Sequence, residues 1–300
     1  MKIFISTSLL VLTSLQVLSC DICGGIGSNV SAGMLLNERF HLIGLRSNNR
    51  MSTSYLDGIR HSREYLFSQE LYTRFQIGKR IQLIGSIPFQ TAIQKRDLGQ
   101  DIFSGMGDPY GIINGILLHK RDSTGATRSF MSVGGGVKFP LGSYATSDNG
   151  FQNLYPGTGS LDGLGMLNFV QRLKGKMTIQ CDASYSVKTA NSAGFKFGNS
   201  FLSSMQLTHY LSIKGNRLLF AAGAYYDHFD KSISTKSDLG LNNNSGNTVG
   251  IRLNANYLTQ RWLVTAQINI PVLQSLNSGN VKSNGAIQLG IHYLLKTNVK

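Results

Sequence analysis

Segment after segment of this chain alternates apolar and polar residues with period two, and that pattern constrains the fold more than any other feature. Between Trp262 and Val272, Trp262, Val264, Ala266, Ile268, Ile270 and Val272 share one face, while Thr265, Gln267 and Asn269 take the other. From Met177 to Lys188 the pattern repeats, with Met177, Ile179, Cys181, Ala183, Tyr185 and Val187 opposite Thr178, Gln180, Asp182, Ser184, Ser186 and Lys188. Successive side chains of a strand point to opposite faces, so each such segment makes a strand with one apolar wall and one polar wall. Repeated along a whole chain, this is the requirement of a transmembrane barrel, apolar toward lipid and polar toward a lumen.

The alternation predicts strands near 39–47, 64–77, 80–94, 107–119, 128–141, 160–173, 175–188, 200–213, 216–230, 247–258, 261–272 and 284–296. Each is close to or longer than the nine to eleven residues that a tilted strand needs to cross a bilayer. The even number lies within the range of single-chain outer-membrane barrels. Short connections at 78–80, 119–128, 173–176, 213–217 and 258–261 alternate with long ones at 48–63, 95–106, 142–159, 189–199, 231–246 and 273–283. Short turns belong on the periplasmic side and long loops outside, which leaves both termini in the periplasm. The expected fold class is therefore all-β: a single transmembrane antiparallel β-barrel of about twelve strands with short periplasmic turns and long extracellular loops. A soluble β-sandwich also alternates, but its strands are shorter and its loops lack this regularity.

Residues 1–19 read as a signal peptide: Met1 and Lys2 precede an apolar stretch from Ile3 to Leu18. Val17, Leu18, Ser19 and Cys20 resemble a bacterial lipobox, with Cys20 the candidate lipidation site and ordinary cleavage nearby the alternative. A periplasmic tail at 20–37 then leads into a barrel over 38–300. The spacing of Cys20 and Cys23 also suits a metal or redox pair, a reading that requires an unlipidated Cys20. Cys181 lies on the apolar face of its strand and reads as a small lipid-facing filler.

Charged residues make up only 15% of the chain, low for a soluble surface, and the net charge is +14. Two readings compete for that excess: scattered charge in turns and loops, or a basic lumen that concentrates anions. The basic residues are not clustered as a nucleic-acid footprint requires, so no nucleic-acid partner is expected. Tyr65, Phe67, Tyr110, Phe139, Phe201, Tyr210, Tyr225, Tyr226, Phe229, Tyr257 and Trp262 fall near strand ends, as interfacial aromatic girdles do. Gln288, Gly290, Tyr293 and Leu295 resemble the C-terminal signal read by the barrel-assembly machinery, although five residues follow Leu295.

Projecting the polar faces inward gives lumen candidates on many strands: Glu70, Arg74, Gln82, Gln180, Asp182, Lys188, Arg252, Asn254, Asn256, Gln267, Asn269, Gln288 and His292. Side chains of both signs either orient a polar solute or bond across the lumen and fill it. Asp108, beside Gly105 and Gly107 where a long loop enters the fourth strand, is a candidate at the loop entrance. Gly105, Met106, Gly107 and Asp108 resemble an element of a broad family of outer-membrane transporters labelled after the meta pathway of phenol degradation. The order of a Cys20, Asp21, Ile22, Cys23, Gly24 start, then Ser62, Arg63 and Glu64, then this element, is similar to barrel transporters of Bacteroidetes-type bacteria. That resemblance implies passage of small solutes, apolar or aromatic ones among them, and supplies no site residues.

The expected function is passive passage of small solutes by a non-enzymatic barrel without a cofactor, its partners being outer-membrane lipid, the assembly machinery and an unidentified solute. A lipid-modifying enzyme is the rival, with His228 near the outer rim beside Asp227 and Asp230; His209 lies at the wrong end. The motifs GxSxG, HExxH and the P-loop are absent from the sequence. A third reading, a receptor or structural barrel acting through its loops, meets loops such as Asn242 to Gly246 that are rich in small polar residues and poor in aromatics.

Overall fold

In the computed structural model, the residues described are 40–123, 127–146, 152–173, 175–234 and 245–296. The signal peptide, the tail, Cys20 and Cys23 lie outside them. Fifteen strands follow in order. β1 (Phe40–Leu56), β2 (Ile59–Ile77), β3 (Ile81–Arg96), β4 (Gly99–Met106), β5 (Tyr110–Arg121) and β6 (Thr127–Lys138) form the first half of the wall. β7 (Asp162–Arg172), β8 (Met177–Val187), β10 (Ser200–Ile213), β11 (Asn216–Phe229), β13 (Gly246–Leu258), β14 (Trp262–Leu276) and β15 (Val281–Lys296) complete it. The two-residue strands β9 (Phe195–Lys196) and β12 (Ile233–Ser234) pair with each other in the loops.

Neighbouring wall strands are antiparallel, and the pairing of β1 with β15 closes the sheet on itself. β4 and β5 share one position in the wall: β4 pairs with the outer half of β3 and β5 with its inner half. Counted that way the barrel has twelve staves. The interruption falls at Gly107, Asp108 and Pro109, where proline has no N–H to give to a ladder.

The faces divide as the alternation requires. Ile268 is 44% exposed on the outside and Gln267 4% on the inside, one residue away. Apolar side chains stand exposed all around the wall, among them Leu45, Phe75, Ile87, Ile113, Val133, Leu167, Met205, Ile251 and Ile291. An apolar belt of that extent far exceeds the patches tolerated on soluble proteins and requires lipid, which excludes the β-sandwich. Among the described residues no helix is long and apolar enough to cross a membrane; strands do the crossing.

The connections depart from expectation in an informative way. Segments 48–63, 95–106 and 273–283 are largely strand, because β1–β2, β3–β4 and β14–β15 continue outward as hairpins. Asp57 and Gly58 have φ of 49° and 78°, a type I′ turn whose twist matches that of the flanking strands. By contrast, the described parts of 139–161, 188–199 and 230–234 fold over the mouth as straps, burying Gln152, Asn153, Leu154, Asn191, Phe195, Phe197 and Ser232. Part of the predicted aromatic girdle also turns inward: Tyr110, Tyr225 and Phe229 are buried in the lumen, and the Tyr210 ring lies 5.8 Å from the Arg172 guanidinium.

Candidate functional site: a clasped mouth above an apolar floor

Four charged side chains organise the mouth. Asp108 accepts hydrogen bonds from the Gly142 amide (2.9 Å), the Thr158 amide (2.8 Å) and the Thr158 hydroxyl (2.9 Å), and from the Lys138 ammonium (2.6 Å). Lys138 also lies 3.0 Å from Asp162, which pairs with Lys188 at 3.2 Å. Asp162 further accepts from the Ser160 hydroxyl and the Thr189 amide. The alternating chain Asp108, Lys138, Asp162, Lys188 thus ties the break between β4 and β5 to both arms of the 139–161 strap and to the start of the 188–199 strap. All four side chains are nearly buried, so their mutual attraction is screened little.

The glycines around Asp108 are there because backbone meets backbone. A Cβ on Gly142 would sit 2.6 Å from the carbonyl carbon of Gly107, and one on Gly157 would sit 2.8 Å from Asp108 Oδ1. On Gly107 it would meet the Pro156 carbonyl oxygen at 2.9 Å. The strap then packs Leu154 against Leu66, Ala92 and Phe103, and the Tyr155 ring against Phe103 at 4.9 Å. Beneath it remains a cavity of about 70 Å³, bounded by Asn48, Arg50, Ser68 and Gln90 on the wall, Gln152 and Tyr155 on the strap, and Phe197.

Deeper in the lumen runs a polar belt. Arg46 pairs with Glu70 at 2.9 Å, stacks over the Tyr72 ring at 3.7 Å and reaches the Tyr110 hydroxyl, three strand positions away. Asn114 donates to Gln82, which donates to Gln76; Gln180 and Ser204 donate to Asp182; Arg252 and Gln267 both donate to Asn269. Other atoms of the belt face the lumen with no protein partner: Asn114 Oδ1, Asn168 Oδ1, Asp182 Oδ1, Gln267 Oε1, Gln288 Oε1 and His292 Nδ1. Buried acceptors of this kind are satisfied by water or by a polar solute.

Below the belt, near the periplasmic turns, Leu42, Ile116, Phe130, Val170, Leu219, Leu258, Leu263 and Leu294 meet as one buried cluster. Phe130 is fully buried and Leu42 and Leu263 are 1% exposed, so this floor is packed shut.

Charge is balanced within the lumen. Inward Arg46, Arg50, Arg74, Lys138, Lys188 and Arg252 are matched by Glu64, Glu70, Asp108, Asp162, Asp182 and Asp227. The reading of a basic, anion-concentrating lumen is therefore overturned. Most of the excess sits at the periplasmic rim, where Lys79, Arg80, Lys120, Arg121, Arg128, Arg172, Lys176, Lys214, Arg217 and Arg261 face one described acid, Asp122, held by Arg172 at 2.5 Å.

Every lumen candidate from the sequence is buried: Glu70, Arg74, Gln82, Gln180, Asp182, Lys188, Arg252, Asn254, Asn256, Gln267, Asn269, Gln288 and His292. They fall into separate networks rather than one site; Lys188 belongs to the clasp and Arg74 lies just above the floor. Sequence reasoning missed Arg46, Lys138, Thr158 and Asp162. Asp162 shares its inward face with apolar Leu164 and Met166 as well as Asn168, so alternation did not single it out, and nothing local marked Thr158. His228 bonds to Asn247 (2.6 Å) and Asp230 (3.1 Å), an amide and an acid with no nucleophile between them. His209 faces outward between Met177 and Phe220. Among the described residues no three His, Cys, Asp or Glu side chains gather as a metal site.

The fold has solved counterparts. An outer membrane channel from Pseudomonas putida F1 superimposes with a TM-score of 0.63 at 15% identity, over 85% of this chain and 95% of its own. The beta domain of the Bordetella autotransporter BrkA gives 0.52 at 9%, over 85% of this chain and 99% of its own. At these identities the likeness is one of fold, that of outer-membrane barrels. No curated protein matches the sequence. Residues 50–272, most of the wall and the whole of the clasp, match a single family, and the chain belongs to it: the family described as "Putative MetA-pathway of phenol degradation".

Proposed function

We propose that the barrel is a passive channel for small, uncharged, weakly polar solutes, monocyclic aromatic compounds among them, and not a general ion pore. One observation carries this reading: a charge-balanced lumen in which a belt of unpartnered amide, carboxylate and imidazole acceptors lies directly above an apolar floor. A flat solute with one hydroxyl finds acceptors in the belt and apolar contact at the floor. An ion would be stripped of water at a constriction that offers it nothing in return, the principle of a hydrophobic gate. The family's association with phenol degradation is consistent with such a cargo.

The same reading makes the protein a conduit without catalysis, since His228 lacks a nucleophile partner. It leaves insertion by the assembly machinery to β15, whose Gln288, Gly290 and Leu295 carry the resemblance to the assembly signal. A Bacteroidetes-type source and a lipid on Cys20 rest on the sequence alone; intact-mass measurement of the exported protein decides the latter.

The test compares two fluxes in one preparation. Liposomes carrying the refolded protein should take up phenol faster than protein-free liposomes, while planar bilayers show little or no ion conductance. Large, steady ion conductance together with unchanged phenol uptake would reject the proposal.

A further inference from the structure

The geometry points to a binding site for an anionic membrane phospholipid on the outside of the barrel, at the periplasmic rim beneath β8, β10, β11, β13 and β14. Two independent features meet there. The first is a recess in the lipid-facing wall. Ala222, Ala255 and Ala266 carry only a methyl where their neighbours carry larger side chains, and Leu207, His209 and Phe220 border the resulting groove of about 430 Å³. Register places these residues side by side: His209 faces Phe220, Leu207 faces Ala222, and Ala255 lies between Phe220 and Ala266. The groove is apolar apart from His209 and Asn254, and the membrane supplies acyl chains at that height.

The second feature is charge. Directly below the groove, at the turns that join these strands, stand exposed Lys176, Lys214, Arg217 and Arg261. Lys176 precedes Met177 in the groove wall, and Lys214, with φ of 48°, sits exposed at the tip of the β10–β11 turn. Long basic side chains at this level snorkel to headgroup phosphates while their stems lie along apolar surface. An acyl chain in the groove and an anionic headgroup on the rim make one amphipathic ligand; a free phosphate would use only half of the site.

The chain supplies its own reporter. Its single tryptophan, Trp262, follows Arg261, stands outward at the start of β14 and packs its ring on Tyr293 at 5.1 Å. The protein is reconstituted in vesicles of phosphatidylcholine in which either phosphatidylglycerol or phosphatidylcholine carries brominated acyl chains. Quenching of Trp262 then gives the relative binding constant of the two lipids at the rim. We expect brominated phosphatidylglycerol to be preferred several-fold, since each basic residue near an anionic headgroup is worth up to about five-fold. Combining Lys176→Gln, Lys214→Gln, Arg217→Gln and Arg261→Gln should bring the ratio close to one, and about 1 M salt should do the same to the unsubstituted protein. Lys95→Gln with Lys282→Gln, at the opposite end of the barrel, should leave the preference intact. Equal quenching by the two lipids in the unsubstituted protein, or a preference that survives both the four substitutions and salt, would overturn the assignment; the salt arm needs no variant to fold.

Discussion

The two ends of this lumen are closed by opposite chemistry. At the mouth, Asp108, Lys138, Asp162 and Lys188 hold the straps with ion pairs and backbone amides. At the floor, Phe130, Val170, Leu42 and Leu263 close the barrel by packing alone. Directional bonds specify one arrangement and fail together when a partner is lost, whereas apolar contact has no direction and admits intermediate openings. The mouth is thus built as a latch and the floor as a compliant seal, and substitutions should tell the two apart.

The largest effect belongs to the mouth. Asp162→Ala removes the carboxylate that Lys138 and Lys188 share and leaves Lys138 with Asp108 as its acid, and loss of one partner from a buried pair typically costs about 3–5 kcal/mol. That cost should appear locally, as fast hydrogen exchange over 152–161 with the wall ladders still protected. Exchange that rises throughout the barrel would mean that the clasp holds the wall and not the straps. At the floor, Phe130→Ala also removes up to about 3–5 kcal/mol of packing, with the reverse signature: single-channel conductance should rise while exchange in the straps stays unchanged. If both substitutions changed conductance and strap exchange alike, the division into latch and seal would be wrong.

Next in size is a control on the wall between them. Ile268→Arg, on the lipid face, should cost about 2–4 kcal/mol in reversible unfolding, and Gln267→Arg, on the lumen face, far less. Equal costs would undo the division of faces on which the comparison stands. Smallest is Gly142→Ala, whose Cβ would press on the backbone of Gly107 and Asp108. Overpacking of that kind costs about 1–3 kcal/mol and should partly loosen the strap, giving exchange over 152–161 between that of the unsubstituted protein and that of Asp162→Ala.

Much of the wall was legible in the sequence because a strand's two faces are a local property. The segment 200–213 is β10 to the residue, and the inward placement of Gln180, Asp182, Arg252 and Asn254 follows from counting by twos. Closure of the mouth was not legible. The strap partners of Asp108 lie 34 to 50 residues away in a segment with no periodicity, so the sequence showed the glycines without the backbone they approach. The outer hairpins were missed for a different reason. Ser, Thr and Asn in β1 read as solvated loop, although Asp57 and Gly58 form the dipeptide that most strongly marks a two-residue hairpin turn. The apolar floor was missed because large side chains at strand ends were assigned to girdles and packing, while the view inward was reserved for polar ones.

The seam between β1 and β15 has a consequence for how the molecule comes into being. It joins the two ends of the wall, Phe40 to Lys296 at one extreme and Ser54 to Val281 at the other. Every other neighbouring pair in the wall is far closer in sequence, joined by a turn or a single strap, while this one must find a partner more than two hundred residues away. Until it does, two rows of peptide groups face hydrocarbon that cannot bond to them. A partly assembled sheet therefore has no comfortable resting place in the bilayer. Arrival in the membrane and completion of the ring are thus coupled.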